Sequence, residues 1–153
     1  MQERTWVAVV DDEPIWLATV GRALSREGYH AQLIGDPEAA LEMIAADAPT
    51  VAILDRRMPG MDGLELARAL LVRMGEDCPC LFLVTGDLGE LTPSELARFD
   101  AVFEKPVPLR ELMRAVRRAV RGAKTSGTIE AQPDTAHDAW TRDSDDLADS
   151  DVG

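Results

Sequence analysis

Polar side chains stand where apolar runs of the sequence end, and their types fit a common chemistry. They are three consecutive carboxylates, one separate carboxylate, one hydroxyl and one ammonium: Asp11, Asp12 and Glu13, then Asp55, Thr85 and Lys105. If the runs are parallel strands, these side chains share one edge of a sheet, where open α/β folds build their sites. Two carboxylates about 4 Å apart repel by about 4 kcal/mol at an effective dielectric constant of about 20, so such a cluster requires a cation. Oxygen ligands without His or Cys favour a hard ion, and Mg²⁺ is the best candidate.

The same arrangement predicts phosphoryl transfer. A carboxylate beside a metal ion, with an ammonium opposite, can stabilise a phosphoryl group on several oxygens. Asp55 would be the nucleophile and would form an acyl phosphate. Simpler readings make Asp55 a turn or cap residue and make the acidic run the first turn of a helix that begins at Pro14, favoured by the helix dipole. The apolar residues before Asp55 and the complementary groups at the other run ends favour the site, whereas we expect Glu13 to serve only the helix.

The elements that must position these residues alternate along the chain. Five short apolar runs, mostly β-branched, predict buried strands: 6–10, 31–34, 51–54, 81–84 and 101–103. Segments with helical spacing lie between them. An N-cap at Asp36 followed by Pro37 starts one helix, and a capping box at Thr92 starts a short helix that ends near Phe99. Apolar stripes predict two more helices, one after Gly63 and one from Pro108 to Arg121. Strands separated by helices with short connections predict right-handed βαβ units in an open parallel sheet with helices on both faces.

Four motifs, in this order and at these separations, carry a resemblance to a known family. "VAVVDDEP", "AILDRRMPGMDG", "FLVTG" and "FEKP" resemble the receiver domain of bacterial two-component response regulators, over residues 4–121. The resemblance implies a flavodoxin-like doubly wound fold with a five-stranded parallel sheet of order 2-1-3-4-5. It implies that Asp55 is the phosphoacceptor and that Thr85 and Lys105 contact the phosphoryl oxygens, with the bond between Lys105 and Pro106 commonly cis. The metal ligands it implies for Mg²⁺ are two carboxylates, one backbone carbonyl and one carboxylate acting through water: Asp12 and Asp55, Arg57, and Asp11.

The leading hypothesis is therefore a stand-alone receiver. It would take a phosphoryl group from a histidine kinase or histidine phosphotransfer protein and signal through protein contacts, as a monomer or a weak homodimer through its fourth helix, fifth strand and fifth helix. Beyond self-catalysed phosphotransfer and slow autodephosphorylation, we expect no enzymatic activity. Alternatives are a binding module that keeps the fold without phosphorylation and a fragment of a longer regulator whose output domain is absent. An aspartyl phosphatase is disfavoured, because those families typically place a second Asp where Arg57 stands.

The charge and hydropathy of the chain limit the classes of partner and the cellular compartment that we expect for it. The net charge is −12, and residues 122–153 supply half of it with eight acidic and two basic side chains. The chain has no electrostatic footprint for nucleic acid and no apolar stretch approaching the length, about twenty residues, of a membrane span. The start lacks the apolar core of a signal peptide, which favours a cytoplasmic protein. Residues 122–153 are poor in aliphatic residues and are predicted to be an acidic, disordered tail.

Three features depart from the family pattern or add to it. Val102 stands where receivers commonly carry an aromatic residue, and the neighbouring Phe103 points to the opposite face by strand alternation. Arg57 and Asp87 could pair across the site mouth and slow dephosphorylation, or form an exposed ion pair of little effect. The last helix carries five arginines: Arg110, Arg114, Arg117, Arg118 and Arg121. Three roles stay open for them: contact with solvent alone, docking of a partner or dimer, and binding of the acidic tail.

Overall fold

One parallel sheet forms the centre of the protein. The structure, a computed structural model, describes residues 5–124. The five strands are β1 (Trp6–Val10), β2 (His30–Ile34), β3 (Val51–Asp55), β4 (Cys80–Thr85) and β5 (Ala101–Glu104). They are hydrogen-bonded in the order β2-β1-β3-β4-β5, and every neighbouring pair is parallel. The predicted strand order and fold class are confirmed.

Five helices connect the strands and follow them. They are α1 (Pro14–Arg26), α2 (Pro37–Ala46), α3 (Gly63–Met74), α4 (Pro93–Leu96) and α5 (Leu109–Lys124), with short 3₁₀ turns at Gly75–Asp77 and Leu88–Glu90. The Asp36 side chain caps α2, and the capping box at Thr92 opens α4, both as predicted. A second capping box, between Asp62 and Glu65, opens α3. The helix α4 ends at Leu96, short of the predicted Phe99. The helix α5 continues to Lys124, three residues beyond the predicted end at Arg121, so residues 122–124 belong to the helix and not to the predicted tail. The rest of the tail predicted for 122–153 lies outside the described residues.

The sheet divides the core into two layers because successive strand residues point to opposite faces. On one face, the inward residues of the strands pack against α1 and α5 through side chains such as Leu24 and Val116. On the other face they pack against α2 and α3 through Ile44 and Leu66. Helices therefore cover both faces, as predicted. Within residues 5–124, no helix combines the length and apolar composition that crossing a bilayer requires.

The strand register brings the predicted site residues to one edge. Val10 pairs with Leu54, Asp55 with Val84, and Thr85 with Glu104. Because all strands run in the same direction, the residues after β1 and β5 and at the ends of β3 and β4 meet at the carboxyl edge of the sheet.

Candidate functional site

Asp55 and Lys105 form the closest polar contact at this edge. The Lys105 Nζ lies 3.1 Å from the Asp55 Oδ1, so the ammonium donates a charge-assisted hydrogen bond to the carboxylate. Asp55 is only 5% exposed because it is the last residue of the central strand β3. The Lys105 side chain is 38% exposed and reaches the site from the solvent side. Its backbone N–H is fixed by the carbonyl of Thr85 at 2.8 Å.

Two further carboxylates join Asp55, as predicted. Asp11, Asp12 and Asp55 each offer an oxygen, and these three oxygens lie within 4.8 Å of one another. Asp11 is 1% exposed and Asp12 is exposed. The Asp11 Oδ1 accepts the backbone N–H of Glu13 at 2.9 Å. Among the described residues the Asp11 Oδ2 is buried without a hydrogen-bond partner, so one acceptor of the cluster is left for a ligand.

Burial is the largest influence on the pKa values of the two buried carboxyls in this cluster. Burial raises the pKa of Asp11 from 3.8 to about 6, the N–H of Glu13 opposes the shift, and the negative charge of Asp55 adds to it. Burial also raises the pKa of Asp55, although the hydrogen bond and the charge of Lys105 act against the shift. For Lys105, burial lowers the pKa, but its hydrogen bond to Asp55 and the nearby carboxylates outweigh burial and leave the pKa raised. A divalent cation beside these carboxyls would favour their charged forms and so oppose the effect of burial on the pKa values of Asp11 and Asp55.

Thr85 completes the edge from β4. It is 1% exposed, and its Oγ1 accepts the backbone N–H of Asp87 at 3.2 Å and donates to the Asp87 carbonyl at 3.4 Å. The hydroxyl is thus held in a tight local turn at the end of the strand. The edge as a whole combines three carboxylates, one ammonium and one hydroxyl, which suits binding of a hard cation together with an anionic group.

A sequence model of the response regulator receiver domain matches residues 7–117. The chain belongs to this family. Receiver domains are signalling modules of response regulators in two-component systems. The matched range contains every site residue described above and stops within α5.

Full-length relatives of this receiver domain are longer than the chain. The response regulator MprA of Mycobacterium leprae is 36% identical over 126 residues, which cover 82% of this chain and 55% of that protein. MprA of Mycobacterium tuberculosis strain H37Rv is equally identical, with 82% and 54% coverage. The chain therefore spans about half the length of the curated relatives it matches.

Solved structures of receiver domains share the fold. The response regulator TrrA from Thermotoga maritima, in complex with Mg²⁺-BeF, has a TM-score of 0.68 and 26% identity, covering 75% of this chain and 98% of that one. The signal receiver domain of a LuxO repressor protein from Vibrio parahaemolyticus, described as putative, has a TM-score of 0.73 at 20% identity, with 84% and 98% coverage. At that lower identity, the second likeness concerns the fold alone.

The predicted pair of Arg57 with Asp87 is wrong. The Arg57 Nη2 instead lies 2.6 Å from the Glu90 Oε1, and the Arg56 Nη1 lies 2.8 Å from the same oxygen. The Asp87 carboxylate accepts the backbone N–H of Gly89 and caps the 3₁₀ turn, which holds it in a local contact. Glu90 therefore joins the loop after β3 to the loop after β4 on this receiver domain. Sequence reasoning missed Glu90 because the contact spans more than thirty residues and no motif marks it.

Gly63 is a second residue whose role emerges only from the structure. It is buried at the first position of α3, and its N–H donates to the Arg56 carbonyl at 2.9 Å. A Cβ at this position would overlap the backbone carbonyl oxygen of Asp55 and lie 3.0 Å from the Arg56 Cα. A glycine is thus required for α3 to approach the backbone that carries Asp55. Its place in the "PGMDG" turn was the available signal.

The predicted departure at β5 is also present. Val102 is buried with Phe99 and Leu83 on the α2/α3 side, while Phe103 packs on the α1/α5 side with its ring centroid 5.9 Å from that of Phe82. The two side chains lie on opposite faces, as strand alternation requires, so Phe103 does not replace an aromatic residue at position 102. The bond between Lys105 and Pro106 is cis, as the resemblance implies.

Proposed function

We propose that Asp55 accepts a phosphoryl group from the phosphohistidine of a histidine kinase or histidine phosphotransfer protein. One observation carries the proposal. A nearly buried carboxylate at the end of the central strand is held 3.1 Å from the Lys105 ammonium and lies within 4.8 Å of two more carboxylates. Asp55 is thus the carboxylate with both a cation beside it and further oxygen ligands around it. The family of the chain, whose members receive phosphate, supports the same role.

The transfer is a displacement at phosphorus. An Asp55 carboxylate oxygen attacks the phosphoryl group, the bond between phosphorus and the donor imidazole nitrogen breaks, and the donor histidine leaves. The product is an acyl phosphate on Asp55. Lys105 stabilises negative charge on the transferred group, because its ammonium already lies against the attacking carboxylate. Thr85 stands at the adjacent strand end, where its hydroxyl can donate to a phosphoryl oxygen after leaving its turn contact with Asp87.

The acidic cluster fits Mg²⁺. All of its donors are oxygens, and the buried Asp11 Oδ2 has no hydrogen-bond partner among the described residues. Asp12 and Asp55 would bind the ion directly together with the Arg57 carbonyl, and Asp11 would bind it through water. When bound, the ion neutralises the carboxylates and stabilises charge on the phosphoryl oxygens. The relative TrrA, solved with Mg²⁺-BeF, supports this assignment.

We also propose that phosphorylation is read by another protein surface. The MprA relatives are about one and a half times as long as this chain, so the readout is either a separate protein or a further region of a longer regulator. A weak homodimer through α4, β5 and α5 is compatible with either arrangement. The buried Val102 at β5 argues that any switch here works without an aromatic residue at that position.

Incubation with acetyl phosphate and Mg²⁺, followed by intact-mass measurement, tests phosphorylation. We expect the wild type to gain the mass of one phosphoryl group and Asp55→Asn to gain none. Asp47→Asn, which alters an exposed aspartate at the end of α2, is the matched control and should be modified like the wild type. An unmodified wild type, in the presence of a receiver that is modified under the same conditions, would favour a binding module that works without phosphorylation.

A further inference from the structure

The two helix layers carry different balances of charge. α1 and α5 together contain seven arginines and Lys124 against one acidic residue, Glu111. α2 and α3 contain two arginines against three glutamates. Acidic residues flank helices of both layers: Glu13 and Glu27 for α1, and Asp36, Asp47 and Asp62 for α2 and α3. The chain as a whole has a net charge of −12. The layer formed by α1 and α5, called the basic layer below, is therefore a positive surface on an acidic protein.

The arginines of the basic layer are arranged in rows. On α5, positions 110, 114, 117 and 121 follow spacings of four, three and four residues, which places them on one stripe of the helix. On α1, Arg22 and Arg26 are four residues apart and both are exposed. The stripe adjoins α1, because the Arg117 Nη1 lies 3.0 Å from the Glu27 Oε1 at the end of that helix. The buried residues of α5, such as Leu112 and Val116, point into the core instead.

The chain itself contains a segment of complementary charge. Residues 125–153 hold eight acidic residues and one arginine, a net charge of −7 with histidine neutral. This segment follows α5 directly. Its densest acidic part contains five aspartates: Asp143, Asp145, Asp146, Asp149 and Asp151.

The length of the segment matches the surface. Positions 143–151 lie 19 to 27 residues beyond Lys124, and a random coil of that length would span about 22–31 Å on average. The 16-residue helix α5 is about 24 Å long. The aspartates can therefore reach any part of the arginine stripe. Because the segment is tethered, its effective concentration at the stripe is about 1 mM. At this concentration, several weak ion pairs acting together are enough to keep the segment bound to the stripe.

We propose that residues 125–153 fold back onto the basic layer of the same chain and occupy it through ion pairs with the arginines of α1 and α5. A second copy, offering its α2/α3 layer, is the competing occupant. It is disfavoured because that layer carries fewer acidic residues and is present only at the bulk protein concentration.

A nitroxide label in the segment tests the proposal. The label is attached through Ser150→Cys in the full chain after the native thiols are removed by Cys78→Ser and Cys80→Val, and amide signals are compared with the reduced label. At an ionic strength of about 0.01 M we expect the amides of α1 and α5 to lose more than half of their intensity, with those of α2 and α3 retained. At about 1 M, where the Debye length falls from about 30 Å to about 3 Å, the signals should return.

Charge variants decide between the possible outcomes. Arg114→Glu with Arg118→Glu should abolish the intensity loss, whereas Arg68→Glu with Arg98→Glu, which changes the net charge equally, should leave it unchanged. A loss of amide signal intensity that is spread evenly over both helix layers overturns the proposal. A loss that persists in the Arg114→Glu, Arg118→Glu variant overturns it as well. So does loss that disappears when the labelled, isotope-enriched chain is diluted with unlabelled chain, because contact is then between copies.

A label-free measurement covers the case in which replacing the thiols disturbs the fold. Replacing the five aspartates of positions 143–151 with asparagine in the otherwise wild-type chain should shift the amide resonances of α1 and α5 and leave those of α2 and α3 in place. Unchanged resonances in α1 and α5 at low ionic strength contradict the proposal as directly as the labelled experiment does.

Discussion

Replacing Asp11 with asparagine gives the most quantitative test of the acidic cluster. The carboxyl of Asp11 is 1% exposed, and burial raises its pKa from 3.8 to about 6, with the N–H of Glu13 opposing and Asp55 adding. Between pH about 4 and about 6 the folded protein holds a proton that the unfolded chain has released, so stability falls as the pH rises through this window. A shift of about two units corresponds to about 3 kcal/mol, and this cost is complete at neutral pH.

Asp11→Asn should therefore stabilise the metal-free protein by about 3 kcal/mol at pH 7 and change little below pH about 4. Asparagine carries no charge, and its Oδ1 can still accept the N–H of Glu13. The assay is urea unfolding followed by circular dichroism, with a chelator present, at several pH values. Asp47→Asn, at an exposed position, should stay within about 0.5 kcal/mol of the wild type. A variant that is no more stable than wild type at pH 7, or that gains equally at pH 4, would refute the argument from burial.

Three further results follow from the site. Mg²⁺ at about ten times its dissociation constant should stabilise the wild type by about 1.4 kcal/mol at pH 7, and Asp12→Asn should lose most of this gain in the same unfolding assay. Gly63→Ala should lower the free energy of unfolding by about 1–3 kcal/mol and slow phosphorylation by acetyl phosphate, because the new Cβ displaces the Asp55 backbone. The control is Gly86→Ala, where a Cβ meets nothing within 4 Å. Equal losses of stability in the two variants would contradict the role assigned to Gly63. Arg57→Ala and Glu90→Ala should each change the lifetime of the phosphorylated form in the same direction. The double variant should change this lifetime no further, because Glu90 holds Arg57 in place. Effects that add would show that the two residues act independently.

Much of the fold was predictable because the sequence patterns are local. The apolar runs, the Asp36–Pro37 start and the capping box at Thr92 each predict an element from a few neighbouring residues, and the structure contains all of them. The convergence of Asp11, Asp55 and Lys105 followed from strand direction alone. These inferences need no knowledge of side-chain conformation.

Other contacts were beyond sequence reasoning. The position of the Arg57 side chain depends on which of several acidic residues in the loop after β4 comes within reach. Asp87 is occupied by its own turn, and Glu90 is the residue that meets the guanidinium. The close approach of α3 to the Asp55 backbone likewise depends on packing, which shows why a glycine stands at position 63. The early end of α4 at Leu96 reflects the turn that follows, where helical spacing alone would have continued.

Borohydride trapping of the phosphorylated protein tests the central claim most directly. The wild type is treated with acetyl phosphate and Mg²⁺, reduced with sodium borohydride, which converts an aspartyl phosphate to homoserine, and digested for peptide mass mapping. We predict homoserine at position 55 and unmodified Asp11 and Asp12. Homoserine at either of those two positions, or at no position in a protein whose intact mass shows a phosphoryl group, would contradict the assignment of Asp55 as the phosphoacceptor.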